Sequence, residues 1–150
     1  MRALIQRVRE ARVTVAGRTT GEIGAGLLVL AAVATEDTDA DRDRLARKIV
    51  SLRIFDDEAG VMNRSVADIA GGILAVSQFT LYASTKKGAR PSWSGAAPPD
   101  EARPQFAAFV EALARASGKA VATGEFGAMM QVALVNDGPV TIWIDTRERE

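Results

Sequence analysis

The chain has 150 residues, no cysteine, no histidine, and 19 basic residues balanced by 19 acidic ones. That length fits one domain, residues 1–150, able to bury a core without disulfides or a structural metal. The two missing residue types exclude thiol nucleophiles, histidine triads, Cys/His zinc sites and redox motifs together. The balanced charge excludes the broad basic surface of a non-specific nucleic-acid binder.

No apolar run reaches the roughly 18 residues a membrane helix needs. The N-terminal Met1-Arg2-Ala3-Leu4-Ile5-Gln6-Arg7 is broken by charge before a signal-peptide core develops. A cytoplasmic protein is expected, with no membrane partner. Any catalysis must come from hydroxyls, carboxylates, lysine, backbone amides or the substrate.

The first third reads as strands. Ala11, Val13 and Val15 alternate with Arg12, Thr14 and Ala16, and Gly17-Arg18 offers a turn into Thr19–Ile23. On pattern alone Arg7, further up the first strand, reads as exposed. The run Leu27–Val33 is apolar on both faces, as a strand buried on both sides requires. After a polar turn over Thr35–Ala40, a helix is predicted from about Asp39, with Leu45, Ile49 and Leu52 on its buried face and acids early, as the helix dipole favours.

Gly72–Leu81 begins as an apolar strand and ends in the polar cluster Ser77-Gln78-Phe79-Thr80, a place where sites tend to sit. The following segment, Ala83–Trp93, holds the clustered cations Lys86, Lys87 and Arg90, read first as a solvated loop. A second helix is predicted between Asp100 and Ser117, burying Phe106, Phe109, Val110 and Leu113, with Gly118 as its stop and Pro104 blurring its start. The C-terminal segment reads as a hairpin: Met130–Val135, a turn at Asn136-Asp137-Gly138-Pro139, then Val140–Ile144. The tail Arg147–Glu150 is expected to fray. Roughly eight short strands and two helices predict an α+β domain, an antiparallel-rich sheet curled into a barrel or sandwich with the helices packed on one side.

Two segments carry a resemblance, Ser77-Gln78-Phe79-Thr80-Leu81 and Asn136-Asp137-Gly138-Pro139-Val140-Thr141. With Gln6-Arg7-Val8, Gly21-Glu22-Ile23-Gly24, Arg53-Ile54-Phe55, Met62-Asn63, Arg90-Pro91-Ser92 and Met130-Gln131-Val132, they resemble the D-aminoacyl-tRNA deacylase family over nearly the whole chain, in the same order and spacing. Met129 departs from the pattern, which favours aspartate there. The resemblance implies a homodimer with its active sites at the subunit interface. It implies that Gly138-Pro139 is a Gly-cisPro pair inserted into the partner's pocket, that Arg7 holds that segment, and that Ser77, Gln78, Phe79 and Thr80 line the pocket. Met130 is placed with the substrate-binding residues. The substrate would be tRNA carrying a D-amino acid or glycine, with no DNA partner, no cofactor and no metal site. From the residues alone, Gly138-Pro139 would be an ordinary turn, because only about 5–6% of X–Pro bonds are cis. Ser77 and Thr80 could equally bond their own backbone at a strand end.

An aminoacyl ester is already activated, so backbone N–H donors near Phe79 and Thr80 could stabilise the developing oxyanion. The free hydroxyl of the terminal ribose could orient water. A Thr80 nucleophile would need a base, and none stands beside it in sequence. Two other readings remain open: a non-catalytic RNA- or protein-binding module working through Lys86, Lys87 and Trp93, and a hydrolase of another small ester or amide.

Overall fold

The structure, a computed structural model, describes residues 1–148. Its spine is β1 (Arg2–Val15), long enough to serve several partners. β3 (Gly26–Ala32) pairs antiparallel with the first half of one edge, over Arg2–Val8. β2 (Arg18–Ile23) pairs antiparallel with the second half of the same edge, over Ala11–Val15. The other edge is taken along nearly its whole length by β8 (Gln131–Asp145), again antiparallel.

Beyond β3 the sheet turns parallel, through β6 (Gly72–Ser77) to β7 (Ala122–Thr123). It then curls until β7 meets β2. A Cβ on Gly21 of β2 would lie 2.3 Å from the Thr123 carbonyl oxygen, so only glycine allows the two strands to approach and nearly close the barrel. The antiparallel-rich, barrel-like sheet expected from sequence is observed, with the β3–β6–β7 side parallel. A small hairpin, β4 (Phe55–Asp56) with β5 (Met62–Arg64), stands apart.

Two helices cover one face. α1 (Asp39–Ser51) starts at a capping box in which the Thr38 hydroxyl accepts from the Asp41 amide while the Asp41 carboxylate accepts from the Thr38 amide. These bonds, the backbone one foremost, hold the Asp41 carboxyl below the usual range. α2 (Pro99–Ser117) begins with proline at its first position, where the missing N–H costs nothing, and stops at Gly118 with φ 70°. Leu45, Ile49, Phe106, Phe109 and Leu113 meet Ala3, Ile5, Leu27, Val29, Ile73 and Ala75 in the main core. A second core inside the curl joins Val8, Ala11, Val13, Leu28, Leu74 and Val76. β3 feeds both cores from its alternate faces, the two-sided burial predicted from its unbroken apolar run. Among the described residues, no helix is long and apolar enough to cross a membrane.

The C-terminal segment corrects the hairpin expectation. Both halves of Gln131–Asp145 pair with β1 in one continuous direction, so the chain does not reverse. Between the pairs Gln6↔Thr141 and Val8↔Asn136, β8 places Asp137, Gly138, Pro139 and Val140 opposite the single residue Arg7. The turn-forming composition makes an arch out of the strand rather than a return. Asn136 fastens its base, its side-chain amide donating to the carbonyls of Arg7 (3.0 Å) and Val140 (3.1 Å).

The tail expectation is corrected in part. Arg147 lies 3.8 Å from Asp37 and 3.6 Å from Asp41 in ion pairs, and the Thr146 hydroxyl accepts from the Met1 ammonium at 2.6 Å. Arg149 and Glu150 lie outside the described residues.

Candidate active site

β3 and β6 end side by side, Ala31 opposite Ser77. At their carboxyl ends opens a cleft of about 550 Å³. Ala31–Val33 and Ser77–Phe79 form its floor and one wall. Ala97–Pro99, Ala102, Arg103 and Phe106 from the start of α2 form another, with Trp93, Phe126 and Gly127 closing the rim. The walls are mostly apolar and carry no carboxylate. The one charged lining group is Arg103, whose guanidinium carbon sits 4.7 Å over the Phe126 ring.

β6 stops at Ser77, short of the predicted Leu81, because Phe79–Tyr82 winds into a 3-10 turn. Such a turn leaves its first amides without an intrahelical acceptor. Here those are the N–H groups of Phe79 and Thr80, while the Leu81 amide bonds the Gln78 carbonyl at 3.1 Å. The Gln78 amide is anchored to Ala31 (2.8 Å), and its side-chain amide donates to the Thr80 hydroxyl. Phe79 is 55% exposed and meets Trp93 edge-to-face at 5.4 Å.

Arg2 fixes the far end of this turn. Its Nε donates to Asp145 (2.7 Å), one Nη donates to the Leu81 carbonyl (3.0 Å), and its guanidinium lies 4.4 Å from the Tyr82 ring centroid and 5.6 Å from that of Trp143. Burial opposes ionisation of Asp145, but the Arg147 amide and the Arg2 guanidinium outweigh it and hold the carboxyl below its usual range. Burial, helped by nearby Asp37 and Asp145, raises the Tyr82 phenol far above its ordinary value.

The residues singled out from sequence fall into three places. Ser77, Gln78 and Phe79 line the cleft. Thr80 sits in the adjoining turn, half-buried, outside the lining. Gly138, Pro139 and Arg7 lie together elsewhere, at the arch of β8, and the Gly138–Pro139 bond is cis. The expectation that Arg7 is exposed is corrected: its side chain is only 12% exposed, donating to the Ile54 carbonyl (2.7 Å) and the Asp137 carbonyl (3.1 Å). Met130 is half-buried at the second core, its sulfur against Gly124, away from the cleft. Arg7 pairs with Leu27 and Ser77 with Ala31, four residues apart on β3, so the arch stands about 13 Å along the sheet from the cleft of its own chain.

Reading from sequence missed Ala31–Val33, Arg103, Phe126 and the residues opening α2 as cleft walls. Arg103 and Phe126 carry no local signal, since a surface cation on a helix and an aromatic just before a glycine are unremarkable until the fold brings them together. Among the described residues, no cluster of three or more acids is placed to hold a metal ion.

The fold has close counterparts among solved proteins. The c-Myc DNA Unwinding Element Binding Protein superposes with a TM-score of 0.89 at 42% identity, over 97% of this chain and 98% of that one. A structure described as a probable eukaryotic D-amino acid tRNA deacylase superposes at 0.84 with 17% identity, over 95% and 97% of the two chains, a likeness of fold. A curated D-aminoacyl-tRNA deacylase of Chromobacterium violaceum is 60% identical over the full length of both chains, and one of Opitutus terrae is 58% identical over the same extent. The family model for D-Tyr-tRNA(Tyr) deacylase matches residues 4–145. The chain therefore belongs to the D-aminoacyl-tRNA deacylase family, and so to the hydrolases that act on carboxylic ester bonds.

Proposed function

We infer that this protein, working in the cytoplasm as one domain spanning residues 1–150, hydrolyses the ester of tRNA charged with a D-amino acid or with glycine. One observation carries the reading. A carboxylate-free cleft ends at two amides left without an intrahelical acceptor, in a chain that has neither cysteine nor histidine. The Phe79 and Thr80 amides receive the charge that develops on the carbonyl oxygen, where preorganised donors are most effective. The neighbouring ribose hydroxyl assists the attack of water. Thr80 serves mainly through its backbone, its hydroxyl already accepting from Gln78.

Selection belongs to a second copy of the chain. The arch is too far from its own cleft to act there, while the exposed ring of Trp143 beside Leu4, on the sheet face opposite the helices, offers an apolar surface for a partner. Gly138-Pro139 of one subunit enters the cleft of the other, with Arg7 behind it, and crowds the position of an L side chain. Glycine, having no side chain, escapes this rejection. The purified protein should free D-tyrosine and glycine from their tRNAs and leave L-tyrosyl-tRNA intact. Hydrolysis of L-tyrosyl-tRNA at the same rate, or sedimentation as a monomer at micromolar concentration, would sink the reading.

A second reading, a nucleic-acid-binding module without catalysis, is favoured by the relative named for binding a DNA unwinding element. The balanced charge of the chain speaks against it, and the same assay decides, because a binder would leave every ester intact.

A further inference from the structure

The loop at one lip of the cleft has no part in the chemistry above. Ser84 and Ser92 close it by two backbone bonds of 2.9 Å, and a turn from Thr85 to Gly88 (3.2 Å) sets Lys86 and Lys87 at its tip. Lys86, Lys87 and Arg90 are all exposed, and among the described residues none of them forms an ion pair. From Ile69 to Pro99 the chain has no aspartate or glutamate, although it carries 19 elsewhere. Three cations thus share a short loop with no ion-pair partner among the described residues, in a protein whose total charge is zero.

Trp93 follows the closure directly. It forms part of the cleft rim and touches Phe79 at 5.4 Å. The positive lip is therefore continuous with the catalytic wall. The cleft interior offers no carboxylate to repel an anion and one further cation, Arg103.

We propose that Lys86, Lys87 and Arg90 hold the phosphates of the single-stranded 3′ end of tRNA, just before the terminal aminoacyl-adenosine, with Trp93 offering a face on which a base stacks. This rests on the hydrolase reading above: once the terminal ribose ester lies in the cleft, the preceding nucleotides must cross a lip. Unpaired cations beside an exposed aromatic ring suit single-stranded nucleic acid, because phosphate contacts supply affinity while stacking tolerates any base. The loop grips without reading sequence, as an enzyme acting on many tRNAs requires.

The test uses the full-length protein with Lys86→Gln, Lys87→Gln and Arg90→Gln together. A control carries Arg47→Gln, Lys48→Gln and Arg53→Gln, three exposed cations away from the cleft. The loop variant should lose roughly tenfold or more in kcat/KM on D-tyrosyl-tRNA at about 50 mM salt. It should match the wild type on the ester of D-tyrosine with adenosine alone, which has no phosphate. The slope of log affinity for uncharged tRNA against log salt should flatten by about 2, at about 0.7 per single-strand contact. The control should behave as wild type in all three measurements. Equal losses on both substrates, or an unchanged salt slope, would overturn the proposal. Should the wild type cleave neither ester, the hydrolase reading falls, while the slope with uncharged tRNA still decides the loop.

Discussion

The cleft and the arch are built on opposite terms. The cleft lies where β3 and β6 run out, and the groups proposed to work there are main-chain amides left without an intrahelical acceptor because a strand gave way to a 3-10 turn. The arch lies mid-strand, where four residues of β8 stand over one of β1, and it is held by side chains: Arg7 from below and Asn136 at its base. Substitution should therefore hurt the arch readily and the cleft amides hardly at all. The contrast predicts that in a chain without histidine the sensitive side chains are those that position backbone.

The largest effect expected is a complementation that no single chain could show. Gly138 has φ 125°, and a Cβ there would meet the Arg7 guanidinium and Val140 Cγ2, both at 2.9 Å, so Gly138→Val should distort the arch. Ala102→Trp should fill the cleft. Each variant alone should lose at least about a hundredfold in rate, roughly 2.7 kcal/mol of barrier. Refolded together, they should recover about a quarter of wild-type activity, because half the dimers then contain one intact cleft facing one intact arch. A mixture as inactive as its parts would mean that both groups act within one subunit.

Arg7→Ala should come next. It leaves the Ile54 and Asp137 carbonyls without their donor and should cost about 2 kcal/mol in urea unfolding, together with a larger fall in kcat/KM than in stability. Arg7→Lys, which cannot span both carbonyls, should recover only part of either.

Asp145→Asn should be milder, about 1–2 kcal/mol, by loosening Arg2 and with it the end of the Phe79–Tyr82 turn. Its pH dependence has a definite sign. The Asp145 carboxyl is lowered in the folded protein, so its contribution is fully present above the unfolded value near 4 and is lost as pH falls through the folded value. Wild type and variant should differ at pH 7 and converge as the pH falls through the folded value in urea titrations; a constant difference would assign the loss to packing. The smallest effect expected is from Thr80→Ala, within about tenfold of wild type in single turnover, because the amide survives the substitution.

Much of the fold was legible because its signals were local. The early acids and the spacing of Leu45, Ile49 and Leu52 mark α1, and the two-sided apolar run marks β3. The C-terminal strand misled for a physical reason: Asn-Asp-Gly-Pro has the chemistry of a turn whether the chain reverses or arches, and the length of β1, a distant partner, decides between them. β7 is two residues long and leaves no periodicity to read. At the site, Ser77–Phe79 stood out as a polar end to an apolar strand. Arg103 and Phe126 did not, because they are cleft residues only by virtue of where α2 and the segment after β7 pack. The burial of Arg7 was hidden for the same reason, its acceptors lying 47 and 130 residues away.

The central claim is that backbone amides and the substrate's own ribose hydroxyl supply the chemistry. D-Tyrosyl-tRNA ending in 2′-deoxyadenosine tests it most directly, in single turnover with saturating enzyme. The deoxy substrate should bind as well as the natural one and react slower by orders of magnitude, each factor of ten being about 1.4 kcal/mol of barrier. Undiminished turnover of the deoxy substrate, or an aminoacyl adduct on Thr80 found by mass spectrometry after quenching, would contradict it.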